Sequence, residues 1–369
     1  MKKISVMLIA WIFCAFALSG QPAQPYSFPS VPGYHTLLCD FHIHTVFSDG
    51  LVWPTIRVDE ALREGLDAIA ITDHLEYTPH DRDIPAVDFN RSYEIAAEYG
   101  SEKGLIVIHG SEITRDMPPG HLNALFLSNS NALKKDDPLE AIREAKKQGA
   151  WIFWNHPMWT AQKPDGMAEL TPLHKQLLKE NLFDGIEVVN DYNFSDEAFE
   201  IALKNNLTIL ANSDIHGMIE WSFPEPQTGH RPITLVFARE KSADAIREAL
   251  ENHRTVIWHA QLLAGTQEFL EPLIKTSLVV ESAVYEPKTS VVSVTLSNKS
   301  SQDLFIENIG RFTLHNTGPF FKIKAGEKYV VEVKTISNLS QFELPLRILN
   351  AYIAPGKNLR LSYLISPEK

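Results

Sequence analysis

Cysteine is scarce in this sequence, no apolar run is long enough to span a bilayer with confidence, and negative charge outweighs positive charge. Cys14 and Cys39 are the two cysteines among 369 residues, which leaves little scope for a disulfide scaffold. The formal net charge is -12 and no basic run occurs, so the sequence does not favour a protein that grips a polynucleotide backbone. A GxSxG motif is also absent, which argues against a serine nucleophile on a strand-turn-helix elbow.

The N-terminal segment has the pattern of a cleaved export signal. Lys2 and Lys3 precede the apolar residues 4–18, and Ala17-Leu18-Ser19 forms a small-x-small cleavage motif. This stretch is shorter than the roughly 20 residues that span a bilayer, so we expect a signal peptide over residues 1–19. Its removal would take away both lysines and change the net charge from -12 to -14. We therefore predict an exported protein, periplasmic or secreted, with no membrane span and no disulfide.

Two hydrophobic patterns divide the remaining chain into two predicted domains. Residues 20–36 are rich in proline and are expected to form an exposed lead-in. Residues 37–275 alternate helical segments with apolar strands, as at 61–66 and 67–72, which predicts an α/β domain with parallel strands. Residues 276–369 contain short alternating strands, which predicts a small all-β sandwich of immunoglobulin-like type. This second domain has no cluster of metal-binding residues, so we expect it to be an accessory domain.

Nine His, Asp and Glu side chains recur beside the apolar runs of the first domain. His42 and His44 form a His-x-His pair, and side chains two apart on a strand face the same way. The other seven lie in the motifs SDG, TDH, GSE, GHLN, NHP and SDIH, and are Asp49, His74, Glu112, His121, His156, Asp214 and His216. Each histidine alone fits a buried structural residue. The series at successive strand ends instead fits the rim of an α/β barrel that holds metal ions.

The order of these motifs resembles the PHP (polymerase and histidinol phosphatase) domain superfamily of metal-dependent phosphoesterases, over residues 37 to about 265. The resemblance implies a distorted seven-stranded α/β barrel with two or three divalent ions of Mn, Zn or Fe. It implies that Glu112 bridges two ions, one held also by His42, His44 and Asp214 and the other by His121 and His156, with Asp49, His74 and His216 on a third. His121 precedes its apolar run, so a surface-turn histidine is the alternative there.

The predicted function is hydrolysis of small phosphodiesters, or of monoesters, by a metal-bound hydroxide without a separate catalytic side chain. An exported barrel with a β-rich tail also looks like the Sb-PDE group of bacterial phosphodiesterases. Arg115, His230 and Arg231 are the candidate cations for the phosphate of a small substrate, with surface ion pairs as the alternative. Trp53, Trp159 and Trp221 lie near ligand motifs and either wall an aryl pocket or pack loops. The alternative functions are an amidohydrolase that cleaves C–N bonds and a non-catalytic, metal-stabilised surface protein.

Overall fold

The computed structural model describes residues 25–84, 88–224 and 229–368, so the predicted signal peptide lies outside the described residues. Within these ranges no helix combines the length and apolarity needed to cross a membrane. The strands of the first domain are β1 (His35–Asp40), β2 (Ala68–Ile71), β3 (Ile106–Ile113), β4 (Leu122–Leu125), β5 (Trp151–Trp154), β6 (Gly185–Asn190), β7 (Asn193–Phe194), β8 (Thr208–Asn212), β9 (Ile233–Ala238), β10 (Thr255–His259) and β11 (Leu262–Gly265).

The helices of this domain pack outside its sheet, and sequence signals mark their ends. They are α1 (Pro54–Glu64), α2 (Arg91–Lys103), α3 (Pro138–Lys147), α4 (Pro172–Lys179), α5 (Asp196–Asn205), α6 (Ile219–Ser222), α7 (Ala243–Glu251) and α8 (Gln267–Ser277), with a 3-10 turn at Ser130–Leu133. Asp137 caps α3 by accepting a hydrogen bond from the Leu139 backbone N–H at 2.8 Å, as its position before Pro138 predicts. Gly65 ends α1 with φ at 83°, a conformation that favours glycine.

A distorted barrel with a mostly parallel sheet is the core of the first domain. Its strands follow the order β9-β1-β2-β3-β4-β5-β6-β8, in which β4 runs antiparallel to β3 and β5, and β9 runs antiparallel to β1. Thr234 on β9 links the sheet ends: its hydroxyl accepts from the Ala211 N–H of β8 at 3.0 Å and donates to the Ala211 carbonyl at 2.9 Å. A side chain thus replaces the backbone ladder where the barrel is distorted, and the predicted α/β barrel is confirmed.

Apolar side chains fill the barrel interior. Cys39, Ala70, Phe153 and Leu210 come from four different strands, are wholly buried and belong to one cluster. A filled interior leaves the strand ends as the place where polar side chains can meet a ligand.

The C-terminal part is all-β, as predicted. Its strands are β12 (Leu278–Tyr285), β13 (Val291–Asn298), β14 (Leu304–Asn308), β15 (Phe320–Ile323), β16 (Lys328–Lys334), β17 (Phe342–Ala354) and β18 (Lys357–Ile365). One sheet has the order β12-β13-β16, and its alternating residues Val292, Val294 and Val331 are wholly buried. In the other sheet β17 pairs with β14 and β18, and it also pairs in parallel with β11 of the barrel, Leu263 opposite Ala351. The two parts therefore share a backbone ladder.

The described part of the proline-rich lead-in, residues 25–36, is not exposed throughout as its composition predicts. Phe28 and Val31 are buried, and the Phe28 ring contacts Trp258 edge-on at a centroid distance of 4.9 Å. The Ser27 backbone N–H donates to the Ser301 hydroxyl at 2.8 Å, and the Ser301 N–H donates to the Ser27 carbonyl at 3.0 Å. Residues 26–31 instead bind to both parts of the molecule, because their apolar side chains find a partner surface where barrel and sandwich meet.

Candidate metal centre

The nine predicted side chains meet at one rim of the barrel. His42 and His44 follow β1, His74 follows β2, His156 follows β5, and Asp214 and His216 follow β8. Glu112 lies near the end of β3 and forms an isolated parallel bridge with His74. Parallel strands end at the same side of a barrel, so these side chains converge although they are far apart in the sequence.

His121 reaches the same rim by a different route. Its strand β4 runs antiparallel to β3 and β5, so the residue that precedes β4 lies where its neighbours end. The His121 side chain is buried, and its Nδ1 lies 2.8 Å from Glu112 Oε1. The alternative of an exposed turn histidine is therefore wrong.

Glu112 lies at the middle of the set, and its carboxylate is close to five imidazoles. Its Oε2 lies 3.3 Å from Nε2 of both His42 and His44 and 2.9 Å from His74 Nδ1. Its Oε1 lies 2.8 Å from His121 Nδ1 and 3.6 Å from His156 Nε2. The carboxylate is wholly buried, and each oxygen faces a different group of histidines. This arrangement suits a carboxylate shared between two neighbouring cations.

Asp214 and Asp49 complete two further groups. Asp214 Oδ1 lies 3.2 Å from His42 Nε2 and 3.0 Å from His44 Nε2. Asp49 Oδ2 lies 3.2 Å from His216 Nε2, and its Oδ1 lies 3.5 Å from His74 Nε2. Four overlapping groups, each with donor atoms within 4.8 Å of one another, therefore form one cluster; they are His44-Asp49-His74-His216, His42-His44-Asp214, His42-Glu112-His156 and His74-Glu112-His121.

Several nitrogen and oxygen atoms of the cluster that could bind a metal ion have no hydrogen-bond partner inside the protein. His44 Nε2, Asp49 Oδ1 and Asp214 Oδ1 are buried and unpaired in this way. Leaving a buried polar atom unsatisfied costs about 1–3 kcal/mol, and such atoms normally bind water or an ion. His44 Nε2 and Asp214 Oδ1 are 3.0 Å apart without forming a hydrogen bond, a spacing that suits two ligands of one ion at about 2 Å from each. The residues present therefore fit divalent metal ions.

Electrostatics keep the carboxylates of the cluster ionised. Burial raises the pKa of Glu112, but the charges of His74, His42 and His121 lower it by more, so the pKa lies well below its usual range. Burial lowers the pKa of His74, but the nearby carboxylates of Glu112 and Asp49 outweigh burial and raise this pKa to about 10. The imidazole of His44 is the exception, since burial and the neighbouring His216 and His74 lower its pKa to about 4. The cluster is thus built around anionic carboxylates, and the proton that they stabilise on His74 occupies a place that a cation would take.

A buried carboxylate that the sequence analysis missed orients part of the cluster. Glu187 lies inside the apolar strand β6, wholly buried, with Oε1 2.8 Å from His42 Nδ1. Its Oε2 accepts from the His156 backbone N–H at 2.6 Å and from Asn190 Nδ2 at 2.9 Å. A carboxylate behind a ligand histidine fixes its ring and its tautomer. An acidic residue within the apolar run GIEVVN was the available signal.

A buried arginine holds two of the ligand loops together. The Arg57 guanidinium donates to the backbone carbonyls of His44 at 2.8 Å, His216 at 2.8 Å and Gly217 at 2.7 Å. It is also paired with Glu60 at 2.8 Å. Arg57 therefore positions the turns that present His44 and His216, and nothing in its helical sequence context distinguishes it from a surface arginine.

The three predicted phosphate-binding cations have different surroundings. Arg231 is wholly buried, with its guanidinium paired to Asp40 at 3.2 Å and Glu64 at 2.6 Å, so its charge is already neutralised by two carboxylates. His230 is buried against Trp258, and burial lowers its pKa to about 4, which leaves it neutral. Because both side chains are buried, these two assignments as phosphate-binding groups are not supported. The sequence did not show that the side chains point into the core.

Arg115 lies beside the cluster. It pairs with Glu76 at 2.8 Å, and its neighbour Thr114 has its hydroxyl 2.6 Å from His74 Nδ1. Its side chain is partly exposed, so it remains the candidate for binding a phosphate oxygen.

Comparisons with known proteins agree with this geometry. A PHP domain model matches residues 40–257, and an Ig-like domain model matches residues 278–364. A search of the curated proteins found no match. A crystal structure from Bacteroides vulgatus, of a two-domain protein containing a predicted PHP-like metal-dependent phosphoesterase, is 39% identical and covers 93% of this chain and 98% of its own, with a TM-score of 0.87.

More distant structures share only parts of the chain. A candidate metal-dependent phosphoesterase from Bifidobacterium adolescentis is 19% identical, with a TM-score of 0.42 over 57% of this chain and 95% of its own. An amidohydrolase from Chromobacterium violaceum is 16% identical, with a TM-score of 0.36 over 60% of this chain and 98% of its own. The PHP model covers more than half of the residues, and the Bacteroides vulgatus protein matches nearly the whole length. This chain therefore belongs to the PHP domain family and carries an Ig-like domain after its PHP domain.

Proposed function

We propose that this protein hydrolyses small phosphoesters, with diesters preferred over monoesters, at a centre of two or three divalent ions. The ligands would be His42, His44, Asp49, His74, Glu112, His121, His156, Asp214 and His216. The observation that carries the proposal is the buried Glu112 carboxylate, whose two oxygens face different histidine groups at 2.8 to 3.6 Å. Such a carboxylate is suited to holding two cations side by side.

The proposed ions would be Mn, Zn or Fe, since imidazole and carboxylate ligands suit all three. When bound, neighbouring divalent ions lower the pKa of a water molecule and neutralise charge on the phosphate oxygens. Glu112 would be shared by two ions, one with His42, His44 and Asp214 and one with His121 and His156. Asp49, His74 and His216 would hold the third.

The protein side chains would position the reactants and exclude other chemistry. Arg115 is suited to leaving Glu76 for a phosphate oxygen, because both side chains are partly exposed beside the cluster. Cys39 is wholly buried in the barrel, and burial raises the pKa of its thiol well above the ordinary value, so we assign it no nucleophilic role. We assign the chemistry to residues 37–275 and a supporting role to residues 276–369.

The signal-like N-terminus and the acidic composition support export to the periplasm or the medium and a small substrate rather than a polynucleotide. No observation in the described residues favours cleavage of a C–N bond.

A substrate panel on metal-reconstituted protein tests the proposal. The protein is stripped with a chelator, reloaded separately with Mn, Zn and Fe, and assayed with bis(p-nitrophenyl) phosphate, p-nitrophenyl phosphate and a p-nitroanilide. We expect hydrolysis of the diester above that of the monoester, none of the anilide, and loss of activity in the stripped protein. Faster hydrolysis of the anilide, or diester hydrolysis that persists without metal, would contradict the proposal.

A further inference from the structure

Exposed aromatic side chains follow several residues of the metal centre in the sequence. In the described part of the first domain they are Trp53, Tyr77, Trp159 and Tyr192 in loops and Trp221 in α6. Large exposed aromatic groups are unfavourable in water unless a ligand or partner covers them. The rings among them that also contact the cluster are therefore candidates for binding a ligand.

Two of these rings touch the imidazoles of the cluster. The Trp159 ring lies 5.5 Å from the His121 ring and 5.2 Å from the His156 ring, measured between centroids, while the indole remains 45% exposed. The Tyr77 ring lies 6.0 Å from the His74 ring and is 53% exposed. His74 and His121 are themselves neighbours, with centroids 5.7 Å apart. Both aromatic side chains thus border the same side of the centre.

The loops that carry these two rings are braced by one segment. Glu76, next to Tyr77, accepts from the Thr114 N–H at 2.8 Å and pairs with Arg115 at 2.8 Å. Gln162, three residues after Trp159, donates a hydrogen bond from Nε2 to the Arg115 carbonyl at 2.8 Å. The Trp159 N–H also donates to the His156 carbonyl at 2.8 Å. The backbone segments that carry the two rings are therefore held beside Arg115 before any ligand binds, which lowers the entropic cost of binding.

We infer that Trp159 is a specificity-determining residue that stacks against a planar ring of the substrate, with Tyr77 as its neighbour at the same side. The inference rests on the proposed function, because the phosphoryl group would lie at the metal centre while its organic group extends over these rings. The substrate class is thus a phosphoester of an aryl or nucleobase-containing alcohol rather than of a simple alkyl alcohol. An indole face binds a flat π-system and gains little from a methyl group.

Binding of two phosphonates to the metal-loaded protein separates this role from catalysis. Phenylphosphonate and methylphosphonate carry the same anionic group, and calorimetry gives a Kd for each. We expect Trp159→Ala to raise the Kd of phenylphosphonate by about tenfold or more and that of methylphosphonate by less than about twofold. Trp159→Phe should retain most of the selectivity, and Phe320→Ala, an exposed aromatic in the C-terminal part, should change neither Kd.

Other outcomes overturn the inference. An equal loss for both phosphonates in Trp159→Ala, an unchanged Kd for both, or a failure of metal-loaded protein to bind either ligand would each do so. Hydrolysis of bis(p-nitrophenyl) phosphate by the same wild-type preparation is measured in parallel. Selective binding of phenylphosphonate without ester hydrolysis would overturn the proposed function and leave the ring-binding role of Trp159 standing.

Discussion

Glu112 is the residue on which the metal centre depends most, and Arg115 provides the contrast. Glu112 contacts His42, His44, His74 and His121, so its removal would deprive the two proposed ions of a shared ligand. Arg115 would contact the phosphate alone. We expect Glu112→Ala to lower diester hydrolysis by about 100-fold or more together with the bound metal, and Arg115→Ala to lower it by about tenfold with full metal content. Steady-state kinetics and metal analysis of both variants check this. Mild, equal losses with full metal occupancy would argue against a bridging role.

Protonation of His74 provides a pH test. Burial lowers its pKa, and Glu112 and Asp49 raise it from 6.5 to about 10. A raised pKa in the folded state adds stability below the unfolded value of 6.5, and this contribution is lost as pH rises through about 10. The metal-free protein should therefore lose more thermal stability between about pH 7 and about pH 10 than the metal-loaded protein. In the metal-loaded protein, the bound metal would already have displaced the proton of His74. Scanning calorimetry of the two forms measures the difference, and identical losses would show that His74 holds no proton that a metal replaces.

The residue types and their spacing identified the nine clustered side chains, but they did not reveal the residues behind them. Glu187 lies in an apolar strand and Arg57 in a helix, and their partners are about 145 and 160 residues away in the chain. For Arg231, the sequence instead suggested a phosphate-binding role that the structure does not support. A cation before a strand suggests a ligand-binding group, yet the Asp40 and Glu64 carboxylates that neutralise it could not be foreseen without the register of β1 and β9.

At the scale of elements, strand direction decided which residues reach the site. The helix-strand alternation predicted parallel strands, and their shared C-terminal rim brought His74, His156 and Asp214 together. Strand β4 has the same apolar pattern but runs antiparallel, and that direction depends on its pairing with β3 and β5 rather than on its own residues. His121 thus reached the rim through the start of its strand.

The lead-in gives a test at this scale. Phe28 is buried against Trp258, whereas Phe320 is 60% exposed. Truncation of a buried phenylalanine typically costs about 3–5 kcal/mol, and truncation of an exposed one costs little. Phe28→Ala should therefore lower the melting temperature clearly, and Phe320→Ala should leave it nearly unchanged. Equal melting temperatures for both variants would mean that the lead-in does not hold barrel and sandwich together.

At the scale of the whole molecule, β11 and β17 share a backbone ladder, and we propose that the C-terminal part supports the structure of the barrel. Deleting residues 276–369 exposes the edge of β11 and the apolar surface of α8, of which Leu270, Leu273 and Ile274 are wholly buried. We expect the truncated protein to melt at a lower temperature or to aggregate, while the fraction that stays folded keeps its turnover per bound metal. A truncated protein that melts normally and binds metal but hydrolyses no diester would show that the sandwich contributes to the active site.

The number of ions bound per chain, measured together with activity, tests the central claim most directly. Metal-free protein is titrated with Mn or Zn, and bound metal and bis(p-nitrophenyl) phosphate hydrolysis are recorded at each step. The account predicts saturation at two or three ions per chain, with hydrolysis appearing as the second ion binds, and loss of both in Glu112→Ala. Saturation at one ion, or a full complement of ions without hydrolysis of any phosphoester, would contradict it.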